Sequence, residues 1–191
     1  MSSIITSMNN LAFHAVLGIA SPWLNTLMSL LAQSYYLVIP LIAIYLFLKK
    51  DKNVFSFVIG AVVVFIVTDI IKMIVMEPRP CSVADLQWIN HVGCETSYSF
   101  PSNHATVLTG LSLFLGKYKY IRVLYIIWVI LILFGRVYLG AHYFSDVIVG
   151  VILSIIFYYL IMKKKAVINK FCSKILHKVL KPIYPHEFIE R

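Results

Sequence analysis

The chain has 191 residues, 60% hydrophobic and 13% charged, with a mean hydropathy of +0.85 and a net charge of +9. Soluble proteins average roughly 45–50% apolar and about 25% charged residues, so a soluble globule, a disordered chain and a disulfide-dense secreted miniprotein are excluded. The positive charge does not indicate nucleic acid, because the cations abut long apolar runs instead of gathering on a soluble face.

The predicted class is all-α: a polytopic membrane bundle of five to six transmembrane helices, read as one domain over residues 1–191. It divides into an N-terminal segment (1–22), a helical core (23–162) and a basic tail (163–191). The apolar stretch Ile4–Ala20 is interrupted by Asn9, Asn10 and His14 and closed by Ser21-Pro22. It reads as an interfacial helix, since a span would bury two adjacent amides in lipid; a sixth span is the alternative. No small-residue cleavage site follows it, so a removed signal peptide is not expected.

Four stretches suit spans of roughly 17–25 residues: Leu24–Leu48, Val54–Met76, Tyr120–Leu139 and Tyr143–Met162. Pro40 removes a backbone donor inside the first and should kink it. Pro101–Gly116 is shorter and more polar, yet must cross if the basic clusters are to share a side. Ala166–Tyr184 reads as a basic amphipathic helix on the lipid surface, with Val167, Phe171, Ile175 and Val179 on one face and Lys170, Lys174 and Lys178 on another. A solvated tail that only fixes topology is the alternative.

Five spans place the clusters Lys49/Lys50/Lys52, Lys117/Lys119/Arg122 and Lys163/Lys164/Lys165 with the tail lysines on the cytoplasmic side. Lys72, Arg79 and Arg136 are left near the opposite face, and charge at membrane depth marks a functional site by default. Around these cations lie three polar groups: Lys72 followed after six residues by Arg79-Pro80; Pro101-Ser102-Asn103-His104; and Arg136, then His142, then Asp146. His142 and Asp146 are four apart and share one helix face. A carboxylate on one imidazole nitrogen fixes the tautomer and leaves the other free to attack. Alone, such a pair can merely satisfy itself between helices; beside three cations it points to chemistry. Asp69, one turn before Lys72, is expected to neutralise the burial of that lysine; tuning it is the alternative.

In order along the chain, these groups resemble the three signature motifs of the type 2 phosphatidic acid phosphatase superfamily of membrane lipid phosphatases. The family patterns are Lys-(six)-Arg-Pro, Pro-Ser-Gly-His and Ser-Arg-(five)-His-(three)-Asp; here Asn103 replaces the Gly and Gly135 the Ser. The resemblance implies a reaction without metal or other cofactor. His142 attacks phosphorus, Asp146 orients it, His104 protonates the leaving oxygen, and water then hydrolyses the phosphohistidine. Lys72, Arg79, Ser102, Asn103 and Arg136 are the implied phosphate ligands. Pro101 suits a first helical turn, after which the amides of Ser102, Asn103 and His104 would face an anion.

The implied substrate is a lipid phosphate or diphosphate at the extracytoplasmic face of the cell membrane, with isoprenoid diphosphates such as undecaprenyl diphosphate first. Phosphatidylglycerophosphate, phosphatidate and lipid A phosphatases, or a phosphotransferase, are the alternatives on the same scaffold. A small transporter is the alternative from another class, but its charges would lie near the midplane with repeat symmetry. Membrane lipids and the substrate are the expected partners; no nucleic acid is expected, and the sequence does not speak to oligomeric state. Cys81 and Cys94 share the outer loop and are expected to form a disulfide in an oxidising compartment; two buried free thiols are the alternative. Cys172, in the tail, is expected to stay reduced.

Overall fold

A computed structural model of the chain describes residues 2–83 and 94–180. The middle of the predicted outer loop, around Asn90, and the end of the predicted tail, up to Tyr184, lie outside the described residues. In chain order the helices are α1 (Ser2–Leu17), α2 (Pro22–Gln33), α3 (Tyr35–Leu48), α4 (Asn53–Val75), α5 (Pro80–Val83), α6 (Asn103–Leu111), α7 (Lys119–Tyr138) and α8 (Phe144–Leu180). A 3-10 turn over Ser112–Leu115 extends α6. The described residues include no strand.

Four segments are long and apolar enough to cross a membrane: Pro22–Leu48, Asn53–Ser82, Lys119–Tyr138 and Phe144–Ile175. Their outer faces are apolar, with Leu30, Leu37, Ile74 and Leu124 more than half exposed, as lipid contact requires. The predicted fifth span is different in kind. α6 and its 3-10 turn extend only about 22 Å at standard rises, against about 30 Å of hydrocarbon. Ala105, Leu108, Leu111, Phe114 and Leu115 are each at most 2% exposed. α6 is therefore the axis of the bundle, walled by α4, α7 and α8. Its neighbours are protein instead of lipid, so a shorter and more polar sequence suffices.

Three boundaries differ from the sequence reading. The first span breaks at Ser34, ahead of Pro40, which stays inside α3. Ser34 Oγ donates to the Leu31 carbonyl at 2.6 Å and accepts from Trp128 Nε1 at 2.9 Å, which pins the break to α7. Pro101 precedes α6 instead of opening it, because Ser102, with extended backbone angles, takes the N-cap position. The last span and the tail form one uninterrupted helix of 37 residues. That is about 55 Å long, and no Gly or Pro falls between Met162 and Ala166 to turn it onto a surface.

Contacts at the two ends set the direction of each helix. Tyr118 Oη donates to Asp51 at 3.1 Å, and Ser56 Oγ donates to Asn169 at 2.7 Å. The three basic clusters therefore share one end. Lys72, Ser102 and His142 occupy the other. α1 packs at that second end: Asn9 accepts from the Ser145 amide at 3.1 Å and donates to Ser145 Oγ at 3.2 Å, while Phe13 meets Tyr143 edge to ring. One of its two amides is thus satisfied by protein, and Asn10 is exposed.

Helices in lipid associate through close packing, which small residues permit. A Cβ at Gly110 would lie 2.0 Å from the Tyr158 ring, and one at Gly150 would lie 2.7 Å from Ala105 Cβ. These two glycines let α6 and α8 meet closely enough for the Ser102 amide to reach the Asp146 carbonyl at 3.3 Å. Gly140, at φ 62°, makes the left-handed turn between α7 and α8 that presents His142.

Candidate active site

Lys72 lies in the last turn of α4 and is 4% exposed. Its ammonium donates to the carbonyls of Tyr98 and Ser99, both at 2.9 Å. This tethers the loop before α6 to the end of α4. Asp69 accepts from Asn103 Nδ2 at 2.7 Å and still offsets the Lys72 charge through its field, as expected. A lysine near the end of a helix can reach past its own turn to loop carbonyls, whereas Asp69 faces α6. The residue that stands where the family motif has Gly thus gains a partner on α4.

Arg79 is 3% exposed and fully engaged. Its Nε donates to the Ser97 carbonyl at 2.7 Å and one terminal nitrogen to the Ala141 carbonyl at 2.7 Å. The other terminal nitrogen donates to Ser97 Oγ at 2.9 Å and to Glu95 at 2.6 Å. Arg136, from the last turn of α7, donates to the other Glu95 oxygen at 2.5 Å. One carboxylate therefore bridges two buried guanidiniums, and Arg136 Nε has no partner. Burial alone would raise the Glu95 carboxyl, but Arg136 and Arg79 outweigh it and hold the group below its ordinary value.

His142 is 1% exposed. Its Nε2 lies 3.3 Å from a terminal nitrogen of Arg79. Arginine can only donate, so Nε2 is the bare nitrogen and Nδ1 carries the proton. Nδ1 faces Asp146 at 3.5 Å and Ser99 Oγ at 3.4 Å. Ser99 Oγ donates to the same Asp146 oxygen at 2.5 Å, and the Tyr143 amide donates to it at 3.0 Å. Burial first, then the fields of Arg136, Arg79 and Lys72, hold the imidazole well below its ordinary value. The result is a neutral imidazole with a fixed tautomer and its lone pair turned toward the arginines.

The α6 residues are placed differently from the sequence expectation. The Ser102 amide is taken by the Asp146 carbonyl and does not face an anion; its Oγ is buried without a partner. Asn103 and His104 occupy the first two helical positions, whose amides have no acceptor within the helix. His104 Nε2 lies 3.2 Å from the Ala32 carbonyl, and its ring meets Tyr35 at 4.8 Å, edge to face. Between Tyr35, Phe65, Asn103, His104, Val107 and Leu108 lies an apolar cleft of about 50 Å³. Hence Lys72, Arg79, Arg136, His142 and Asp146 form one interlocked group, with His104 beside it at the α2–α3 break.

Cys81 and Cys94 are joined, with Cα atoms 5.9 Å apart, and the Cys81 amide donates to the Gly140 carbonyl at 3.0 Å. The bridge ties the residue before Glu95 to the turn after Arg79-Pro80. Ser99 and Glu95 were missed in the sequence. Ser99 sits just ahead of Pro101-Ser102-Asn103-His104, and Glu95 is the acidic neighbour of Cys94 in the loop joining the charged motifs. Among the described residues, no group of three or more His, Cys, Asp or Glu side chains is placed to hold a metal ion.

The PAP2 superfamily matches residues 53–169 of this chain. An undecaprenyl-diphosphatase of Sulfolobus acidocaldarius is 30% identical over 132 residues, which cover 66% of this chain and 64% of that protein. The chain thus aligns to somewhat less than two thirds of that relative's length. A PAP2-type transmembrane phosphatidylglycerolphosphate phosphatase from Bacillus subtilis superposes with a TM-score of 0.66 at 25% identity, covering 84% of this chain and 85% of that one. LpxE of Aquifex aeolicus superposes at 0.64 and 25% identity, covering 79% and 92%. The matched residues contain every member of the interlocked group.

Proposed function

The chain belongs to the PAP2 superfamily, and from that premise we propose that it hydrolyses a lipid phosphate or diphosphate, an isoprenoid diphosphate such as undecaprenyl diphosphate first among them. The observation that carries this reading is the His142 imidazole. It is held by Asp146 and Ser99 through Nδ1 and turned with Nε2 toward Arg79. The similarity to an undecaprenyl-diphosphatase supports the substrate class.

The terminal phosphoryl group lies between Arg79 and Arg136, with Lys72 behind them. Nε2 attacks phosphorus as the bond to the leaving oxygen breaks, giving an Nε2-phosphohistidine. The Nδ1 proton stays on the ring, and Asp146 offsets the positive charge that develops there. His104 delivers a proton to the departing oxygen from the cleft side. Water then attacks phosphorus as His104 takes up its proton, the bond to Nε2 breaks, orthophosphate leaves, and neutral His142 and the acid form of His104 are restored. The buried cations stabilise charge on the phosphoryl oxygens in a poorly solvated site, where such interactions are strongest.

The end of the bundle that holds the site faces outward from the cell membrane, and the basic end faces the cytoplasm. The charge rule supports this orientation. Cysteine labels at Lys49–Asn53 should then react only from the cytoplasm. Phosphate release by detergent-solubilised protein, with EDTA present, tests the function on a panel of undecaprenyl diphosphate, phosphatidylglycerophosphate, phosphatidate and lipid A. Turnover is expected, fastest on the isoprenoid diphosphate and abolished by His142→Ala. Turnover of none of the panel would refute the activity; a clear preference for another member would reassign the substrate.

A further inference from the structure

The position where the proposed mechanism seats a phosphoryl group already holds an anion. Glu95 presents one oxygen to Arg79 at 2.6 Å and the other to Arg136 at 2.5 Å, as two phosphate oxygens would. Its side chain is 48% exposed while the side chains of Arg79 and Arg136 are 3% and 6% exposed, so it covers the fork from its open side. The disulfide at Cys94 fixes the chain one residue away. Ser97, two residues on, is held by Arg79 through both its carbonyl and its hydroxyl. Glu95 is thus clamped on both sides at short range, as a built-in competitor.

We propose that Glu95 is a specificity-determining residue that occupies the Arg79–Arg136 fork and admits terminal phosphates in preference to phosphodiesters. The argument rests on the reading that these two arginines hold the substrate phosphate. A carboxylate offers one negative charge and two oxygens. A terminal phosphate carries about −1.5 to −2 charges and three strong acceptor oxygens, and so displaces Glu95. A phosphodiester carries a single charge and only two free oxygens, the same as the carboxylate. It gains little by exchange, and a membrane made largely of phosphodiester lipids does not fill the site. Tethering gives the carboxylate a high local concentration and weakens every competing anion by the same factor. The weakly held diester thus falls below the level needed to occupy the fork, while the terminal phosphate, held more tightly by the two arginines, still enters.

The experiment measures inhibition constants for orthophosphate and for a short-chain phosphatidylglycerol against hydrolysis of a lipid phosphate. Wild type, Glu95→Gln and Arg136→Ala are compared in detergent. Glu95→Gln is close in size and the site is half exposed, and its melting temperature checks folding. The expected result is tighter inhibition of Glu95→Gln by both anions, by a similar factor of about tenfold, so that the diester becomes a measurable inhibitor, together with a lower KM. Damage to the fold would move these constants the other way. Unchanged or weaker inhibition of Glu95→Gln by the diester, with Arg136→Ala still weakening orthophosphate, overturns the role of Glu95 and leaves the phosphate site standing. Inhibition by orthophosphate that Arg136→Ala leaves unchanged overturns the phosphate site and the proposal with it.

Discussion

Replacing Ser99 by Ala tests whether the His142–Asp146 pair depends on a third group. Ser99 Oγ is buried, donates to Asp146 at 2.5 Å and stands 3.4 Å from His142 Nδ1, while His142 and Asp146 themselves are 3.5 Å apart. The substitution leaves the Ser99 carbonyl on Lys72 and the Ser99 amide on Glu77 untouched, so the loop keeps its anchors. Only the hydroxyl is lost. A hydrogen bond to a charged group contributes about 1.5–3 kcal/mol, or about 10- to 150-fold in rate if the positive charge on His142 draws on it in the transition state. The expected effect is on kcat, with little change in KM, read from phosphate release at saturating substrate. Because the hydroxyl acts through Asp146, Ser99→Ala should cost almost nothing further in an Asp146→Asn background. A Ser99→Ala rate within about twofold of wild type, or a full loss repeated on top of Asp146→Asn, would refute the reasoning.

Gly110→Ala forces a methyl to within 2.0 Å of the Tyr158 ring and is expected to destabilise the bundle by about 1–3 kcal/mol; Tyr158→Leu in the same chain should restore most of the loss in a detergent melting experiment. His142 is held well below its ordinary value by burial and by Arg136, Arg79 and Lys72, so it stays neutral as pH falls through about 6.5. Any acid limb that His142 gives to the pH profile of kcat/KM should lie below that pH, and Arg136→Gln should move it upward, toward the ordinary value. Cys81 and Cys94 should resist alkylation until a reductant is added, whereas Cys172, which is free and partly exposed, should react at once; mass spectrometry of the labelled peptides reads this.

The motif residues were legible because their chemistry is local: His142 falls in the turn just before α8 and does not share its helical face, yet a spacing of four still brings its ring to 3.5 Å from Asp146. Spans were legible for a similar reason, since lipid demands long apolar runs. The parts that were not legible depend on neighbours distant in sequence. Ser99 and Glu95 act on Asp146, Arg79 and Arg136 across 16 to 47 positions, and no periodicity announces such pairs. α6 looked like a weak span because its apolar faces meet protein. Asp69 sits one turn from Lys72 and acts on its charge as that spacing suggests, but its hydrogen bond to Asn103 was hidden because it needs the close approach of α6. The break at Ser34 was hidden because its anchor, Trp128, lies on another helix.

In the proposed mechanism the phosphoryl group passes through His142. Rapid mixing of the enzyme with substrate labelled in its terminal phosphate, followed by quenching in alkaline detergent, tests it directly, because phosphohistidine survives base. Label is expected on the peptide bearing His142, appearing within one turnover, chased by unlabelled substrate and absent from His142→Ala. Label on any other residue, or full-rate turnover by His142→Ala, would contradict it.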